Sequence, residues 1–427
     1  MLRLLRQRNF ALLWFGGLVS LLGDWALIAA LPVYVYQLTG STLATGAMVG
    51  AFMAPRLLLG SVAGVFVDRW DRRRTLVVAN VLLAINVLAL TAATSSDRLW
   101  VVFVVALIQS SLAQFVQPAE GALLPLLVPI DDRVPANALN ALNNDLARLV
   151  GPAIGALTGV YVGLAGVALL DAATFLVAAG LIALIATDSN ARQGIPSRSA
   201  APSTESSVPM AEFWRQWCDG LRLVSRSRPL ATMFAFMTIA GLGEGVMAAL
   251  FAPFVVEVIG GAEPAYGWLL SAQAVGGLAG GAAIARWGAH VSPTRLVGVG
   301  GIAASTFDLL IFNSQALLPG LALPLLLMVV VGLPFASIGI GRTTLIQAST
   351  EDRYRGRVIG ALATTAALSS LVGTFLGGVL GGSVGIVTML NVQGTAYGLA
   401  GIMVLVRLRA PHSAGRPDSP SIGTDAR

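Results

Sequence analysis

The chain has 427 residues, of which 56% are hydrophobic and 11% are charged, and its mean hydropathy is +0.79, whereas a soluble domain carries about 25% charged residues. All 27 basic residues are arginine, which excludes a P-loop lysine and a Schiff-base lysine, and two histidines and one cysteine are too few for a usual zinc site or an internal disulfide. The net charge is +6, but the arginines lie between apolar runs instead of in one patch, so we expect no nucleic-acid partner.

Twelve apolar runs follow one another, each long enough for one membrane-spanning helix. Six precede a polar break, at 10–37, 43–67, 75–94, 99–127, 136–161 and 164–187. Six follow it, at 229–259, 264–285, 294–314, 320–347, 358–382 and 384–406. We therefore predict an all-α membrane protein with 12 transmembrane helices in two pseudo-symmetric six-helix bundles. The first run continues to Gln37, beyond the roughly 7 to 15 residues of a signal-peptide core, so it is predicted to be an uncleaved helix.

The runs divide the chain into four predicted regions: an N-terminal bundle at 1–187, a cytoplasmic linker at 188–228, a C-terminal bundle at 229–409 and a disordered tail at 410–427. The linker begins with a stretch rich in Ser, Pro and Ala, which is typical of disorder. Its second part places Phe213, Trp217 and Leu221 at helical spacing. That pattern favours an amphipathic helix lying on membrane lipids, with a calmodulin-like target helix as the alternative.

Arginine placement predicts the orientation of the chain in the membrane. If the N-terminus lies inside, every arginine outside the helices except Arg98 falls on the inner side. This is a strong positive-inside bias. Both termini are therefore expected to be cytoplasmic.

The two halves of the sequence repeat each other. The segment from Gly64 to Trp70 reappears from Gly281 to Trp287, and Leu149-Val150-Gly151 followed by Gly155 reappears as Leu371-Val372-Gly373 followed by Gly377. Repeated bundles are typical of transporters that move a substrate between their halves near the membrane midplane.

The loop between the second and third helices carries Gly64, Asp68, Arg69, Arg72 and Arg73. This spacing resembles the signature of the major facilitator superfamily. Further fragments resemble its efflux branch of macrolide and siderophore exporters: Asn9-Phe10, Gly23-Asp24, Gln117-Pro118-Ala119 and Thr344-Leu345-x-Gln347 leading to Gly356-Arg357-Val358. The resemblance implies the major facilitator fold and a proton-coupled exporter of amphipathic small molecules in a bacterial inner membrane. We expect it to act as a monomer without cofactor or metal.

The negative charge of Asp68 can face the positive N-terminal end of another helix and be attracted to it. By resemblance, the partner is the start of helix eleven near Gly356 and Arg357, and the contact closes the cytoplasmic gate. The alternative is a plain positive-inside loop. The sequence departs from the family pattern at Asp71, where glycine is usual, and at Ala285, which replaces the aspartate in the second repeat, so the gate contact is expected in one half only.

Gly151, Pro152 and Gly155 in helix five resemble the antiporter motif of the family. Ordinary close packing of membrane helices through small residues is an equally good interpretation. Helix four lacks the arginine that proton-coupled drug exporters often carry there, so proton coupling depends on the resemblance.

Charged residues within membrane helices are costly and mark a pathway or a pair. We predict a substrate and proton pathway from Asp24, Arg56, Glu120, Asp145, Arg148 and Glu244. Asp24 and Arg56 are predicted to form an ion pair at equal depth. For Asp145 and Arg148, three residues apart, local pairing along one helix face is at least as good an interpretation as a role in transport. Asp171 and Asp308 are expected nearer the outer surface, within reach of water. Glu244 has no basic residue in its helix and is the best candidate for the coupling acid, with a neutral hydrogen-bonded glutamate as the alternative.

Other functions stay open at this level. A transporter of lysophospholipid or another lipid-like substrate has the same expected fold, and a channel explains the hydropathy but not the repeats. An intramembrane enzyme needs a buried catalytic set, yet His290 falls in a predicted loop and His412 in the tail.

Overall fold

The structure is a computed structural model that describes residues 3–93, 95–186, 222, 224, 227–261, 263–351 and 354–408. Nearly all of these residues are helical. Most of the predicted linker and the whole predicted tail lie outside the described residues. The surface helix and the disordered tail therefore stay predictions.

The first half contains six helices. They are α1 (Arg8–Thr39), α2 (Thr42–Arg69), α3 (Arg72–Leu88), α4 (Leu99–Leu127) and one helical stretch, Arg133–Ala183, that Gly163 divides into α5 (133–162) and α6 (164–183). Gly163 has a φ of 71°, a left-handed value that turns the chain back without a loop.

The second half repeats the arrangement. It contains α7 (Arg228–Pro253, continued by a π-turn at Phe254–Val258), α8 (Glu263–Trp287), α9 (Pro293–Phe312), α10 (Ala322–Ala348), α11 (Arg355–Val384) and α12 (Ile386–Arg407). The prediction of an all-α protein with twelve long apolar helices is confirmed. Within the described residues, the helical segments are long and apolar enough to cross a membrane, and the stretch containing Gly163 is long enough to cross it twice.

Short turns make neighbouring helices antiparallel. At the α1–α2 turn, Gly40 adopts a φ of 59° and its N–H donates to the carbonyl of Tyr36 at 2.7 Å. The Ser41 hydroxyl then accepts from the N–H of Ala44 at 3.2 Å and begins α2. We call the end of the bundle that carries residues 3–8 and Arg407 the terminal end, and the end that carries Gly40 and Gly163 the distal end.

Close packing of α5 against α1 depends on the glycines of the helix-five motif. A Cβ atom at Gly151 would lie 2.8 Å from the carbonyl oxygen of Leu22, and one at Gly155 would lie 2.3 Å from that of Ala26. Membrane helices gain little from apolar burial against each other, so such close backbone contact supplies much of their association. Both glycines therefore act within the first half as packing residues.

The second half uses the same device between α11 and α7. A Cβ atom at Gly373 would lie 2.0 Å from the carbonyl oxygen of Leu242, and one at Gly377 would lie 3.0 Å from the Cα of Val246. Gly373 and Gly377 are the sequence counterparts of the helix-five glycines. The repeat read from the sequence thus reappears as repeated helix packing.

Candidate functional site: the central cavity and its acidic residues

A cavity of about 420 Å³ lies between the two halves. The first half contributes α5, and the second half contributes α8 and α10. The lining residues are Asp145, Arg148, Gln273, Ala274, Gly277, Leu278, Gly281, Ala282, Gly332, Phe335 and Ala336. The wall is mostly apolar, with a small number of polar groups, which is typical of a site for an organic ligand.

Arg148 joins the two halves at the edge of this cavity. Its Nη2 donates to Oε1 of Gln273 on α8 at 2.7 Å, and its guanidinium carbon lies 5.8 Å from the centre of the Trp25 ring. The predicted pairing of Asp145 with Arg148 is wrong, because the arginine reaches across to α8 instead of along α5. Asp145 is exposed to the cavity and forms no ion pair with a described residue.

Glu244 lies on α7 and is held by a tyrosine of α12. The hydroxyl of Tyr397 donates to Oε1 of Glu244 at 2.7 Å, and the Tyr397 ring packs edge-on against Phe335 at 5.7 Å. Phe335 lines the cavity. Glu244 itself is exposed, and the ring of Phe335 lies between Tyr397 and the cavity.

Asp308 on α9 lies close to this group. It is 1% exposed, and its Oδ2 accepts from the Gln393 side chain at 3.2 Å. The expectation that water reaches Asp308 near the outer surface is therefore wrong. Its hydrogen-bond partner is an amide of α12, and Asp308 forms no ion pair with a cation of the described residues.

Asp24 on α1 is hydrogen-bonded to α4. The amide of Gln109 donates to Asp24 Oδ1 at 3.4 Å, and Oε1 of Gln109 accepts from Asn86 of α3 at 3.0 Å. The predicted ion pair with Arg56 is wrong, because Arg56 is exposed on α2 and has no such contact. Equal depth did not bring the two side chains to facing sides of their helices.

Asp171 on α6 is fully buried beside α1, where we expected contact with water. The hydroxyl of Thr174 lies 3.4 Å from its Oδ1, and its Oδ2 has no hydrogen-bond partner. A buried carboxyl oxygen without a partner is rare in folded proteins. The sequence alone gave no reason to group Asp171 with Asp24.

Glu120 is half-buried on α4 toward the terminal end. A Cβ atom at Gly17 would lie 3.2 Å from its Oε1, so α1 and α4 approach closely there. Asn140 of α5 lies beside the Glu120 carboxylate. Within the described part of the chain, no group of three or more His, Cys, Asp or Glu side chains is placed to hold a metal ion.

Two residues near the turn between α2 and α3 form hydrogen bonds that stabilise helix ends. Asp71 begins α3, since its Oδ1 accepts from the N–H of Arg74 at 2.9 Å, which explains an aspartate where the family pattern has glycine. Arg73 donates to the carbonyls of Ile182 and Ala183 at the end of α6, where a cation is favoured by the helix dipole.

The remaining gate prediction is not tested. Nothing is described for the side chains of Asp68 and Arg357 or for the surroundings of Gly64, so their contact lies outside the described residues. Arg69 is exposed at the end of α2, and Gly356 is exposed in the first turn of α11.

The halves touch at the distal end through a set that we call the distal gate: Tyr36, Thr42, Glu257 and Gly378. The hydroxyl of Tyr36 on α1 donates to Oε1 of Glu257, and that of Thr42 on α2 donates to the carbonyl of Gly378 on α11 at 2.9 Å. Below it, Ala29 and Val33 of α1 join an apolar cluster that belongs mainly to the second half.

Contacts deeper in the bundle complete the interface. A Cβ atom at Gly267 of α8 would lie 2.3 Å from the carbonyl of Pro152, so the proline of the helix-five motif lies at the interface of the halves. The other described side-chain hydrogen bonds between the halves lie deeper in the bundle, where Arg148 contacts Gln273, and Ser370 and Thr374 contact the sulfur of Met53. These contacts join the halves at the distal end and midway along the bundle.

Comparison with known proteins agrees with this architecture. The chain matches the family described as transmembrane secretion effector over residues 2–421. It is 24% identical to macrolide efflux protein A of Streptococcus pyogenes over 394 residues, covering 91% of this chain and 93% of that protein. It is 26% identical to the multidrug efflux pump Tap of Mycolicibacterium fortuitum over 423 residues, covering 95% and 98%.

Solved structures support the fold. A bacterial homologue of the iron transporter ferroportin in an inward-facing state aligns with a TM-score of 0.71 at 16% identity, covering 94% of this chain and 98% of that one. The nucleoside transporter NupG aligns with a TM-score of 0.71 at 14% identity, covering 94% and 100%. At these identities the likeness concerns the fold alone.

Proposed function

Because the chain belongs to the transmembrane secretion effector family of major facilitator transporters, we propose that it is a proton-coupled exporter of amphipathic organic molecules. The transporter acts by alternating access, with the cavity between the halves opening to one side of the membrane at a time. The relatives named for macrolide and multidrug efflux make such molecules the first substrates to test.

One observation carries the proposal: a cavity lined by both halves lies beside a distal end that direct contacts hold closed. A cavity shared between repeats changes shape when the repeats rock, which a channel does not require. Arg98, in the short 3-10 turn before α4, is the one arginine of the described residues at the distal end, so the positive-inside rule favours a cytoplasmic terminal end. We infer that substrate enters the cavity from the cytoplasmic side, because the described contacts join the halves at the distal end.

Within this proposal, different cavity residues contact different parts of the substrate. Phe335 and the apolar parts of α8 and α10 contact the apolar body of the substrate, while Asp145 and Arg148 contact its polar groups. Glu244 is the coupling acid, because it is the carboxylate of α7 beside the cavity. Its hydrogen-bond partner Tyr397 belongs to α12, so a change in the charge of Glu244 changes its contact with that helix. After loading, Asp68 meets the start of α11 near Gly356 and Arg357 and closes the terminal end.

The test is transport in proteoliposomes with and without a pH gradient. The panel contains erythromycin, ethidium, the siderophore enterobactin and lysophosphatidylcholine. We expect gradient-driven flux of at least one of the first three, and Glu244→Gln should lower it by at least about tenfold, or about 1.4 kcal/mol in activation free energy. Asp97→Asn, in an exposed distal turn, is the matched control.

Each contrary result removes one part of the proposal. Flux that is unchanged by the gradient contradicts proton coupling, and flux of lysophosphatidylcholine alone favours the lipid transporter. A steady conductance across a planar bilayer would favour a channel.

A further inference from the structure

The two halves carry polar side chains at matching positions of their first and last helices. Asp24 stands as many residues from the start of α1 as Glu244 does from the start of α7. Asp171 in α6 and Gln393 in α12 match in the same way. The first half therefore has two carboxyl groups where the second half has a carboxyl and an amide.

The two carboxyl groups of the first half belong to adjacent helices, and Asp171 of α6 packs against the α1 backbone at the residue before Asp24. A Cβ atom at Gly23 would lie 2.3 Å from Asp171 Oδ1 and 2.1 Å from the hydroxyl of Thr174, so these side chains pack on the α1 backbone directly before Asp24. Asp171 is 0% exposed, and its Oδ2 has no partner. Asp24 is partly exposed and receives a single long hydrogen bond from Gln109.

No described cation neutralises either group. Arg56 on α2 is exposed, and Arg148 on α5 is engaged by Gln273 and Trp25. The other charged side chains facing the interior from α4 and α5, Glu120 and Asp145, are also acidic. Two neighbouring carboxylates in the interior of a helix bundle cannot both be ionised without a large electrostatic cost.

We propose that Asp24 and Asp171 hold one proton between them and form a proton-binding site in the N-terminal half. Water reaches the partly exposed Asp24, and a proton from that water binds one carboxylate oxygen and leaves hydroxide in the solvent. The proton bridges to Asp171, whose Oδ2 is then no longer an orphaned acceptor. One site per half results, with Glu244, Asp308 and the nearby Arg342 and Tyr397 forming its counterpart.

The inference rests on the proposed function only for the use of this proton in transport. Binding of the proton itself needs no transported substrate. A shared proton in the first half also explains why α1 and α6 can pack two acidic side chains together without a basic partner.

The experiment measures the infrared carbonyl band of protonated carboxylic acids in purified protein in lipid nanodiscs at neutral pH. The starting variant is Glu244→Gln with Asp308→Asn, which removes the two carboxyl groups of the counterpart site in the second half. We expect this variant to keep a protonated-carboxyl band. Adding Asp24→Asn and Asp171→Asn should abolish that band, whereas adding Asp97→Asn should leave it unchanged.

Two results would overturn the proposal. The first is that the band is absent from the starting variant, which means that Asp24 and Asp171 are both ionised. The second is that the band persists after both residues are replaced, which means that it arises from another carboxyl group such as Glu120. If the fourfold variant does not fold, Asp24→Asn alone is added to the starting variant, and a band unchanged in position and area overturns the shared proton. Failure of drug transport would leave these outcomes intact.

Discussion

At the scale of single residues, neutral side chains hold the carboxyl groups of Asp24 and Glu244. Asp24 and Glu244 were found because charge inside an apolar run is costly and therefore informative. Partners depend on how each helix is rotated about its axis, which depth does not determine. For this reason Gln109 and Tyr397, and not an arginine, hold these two carboxylates.

The structure makes Asp24 and Arg56 energetically independent. We expect the losses of thermal stability in detergent for Asp24→Asn and Arg56→Gln to add in the double variant, to within about 0.5 kcal/mol, because the residues share no contact. A double variant that is more stable than the sum of the two single losses predicts would support an ion pair between Asp24 and Arg56.

Asp71 is expected to stabilise the first turn of α3. Replacing it with Ala removes the acceptor for the Arg74 N–H and should cost about 1 kcal/mol of stability, measured by thermal unfolding. Asp71→Asn keeps a good helix cap and is the matched control. Equal stability of the Ala and Asn variants would contradict the capping role.

At the scale of elements, the apolar runs predicted the helices to within a few residues, including the division of the long 133–183 stretch at Gly163. Hydropathy suffices here because each helix must satisfy its own backbone in a membrane. The packing role of the repeated glycines could also have been read from their spacing. The equivalence of Asp171 in α6 and Gln393 in α12 could be recognised only by counting residues from the first residue of each helix. Hydropathy locates those first residues only approximately.

Glycine contacts predict opposite effects of the same substitution. Gly155→Ala and Gly373→Ala place a methyl group against backbone carbonyls and should each cost about 1–3 kcal/mol of stability. Gly339→Ala in α10 meets nothing within 4 Å and should be neutral or slightly stabilising, since glycine is a weaker helix former than alanine. Thermal unfolding of the three variants provides the comparison, and equal losses at Gly155 and Gly339 would contradict it.

At the scale of the whole molecule, two repeats meet at the distal gate and share a cavity behind it. The sequence predicted the repeats and a site between them, but not which end is closed, because that depends on contacts between helices of different halves. The gate contacts of Tyr36 and Thr42 are between helices far apart in the chain. Such contacts leave no local pattern in the sequence.

The distal gate should stabilise the conformation described here. Tyr36→Phe removes the donor to Glu257 without changing the packed ring, so the population with an open distal end should rise. Spin labels at Asp97 and Ser383, both exposed at the distal end, would record longer distances in this variant by double electron-electron resonance. An unchanged distribution would mean that the hydrogen bond does not hold the gate.

Alternating access is tested most directly by measuring both ends of one protein. With Cys218 replaced by Ser, one labelled pair at Asp97 and Ser383 reports the distal end, and a second at Asp131 and His290 reports the terminal end. When a transported member of the panel is added and the pH is stepped, we predict that one distance lengthens while the other shortens. Two distances that stay fixed, or that change in the same direction, would contradict the account.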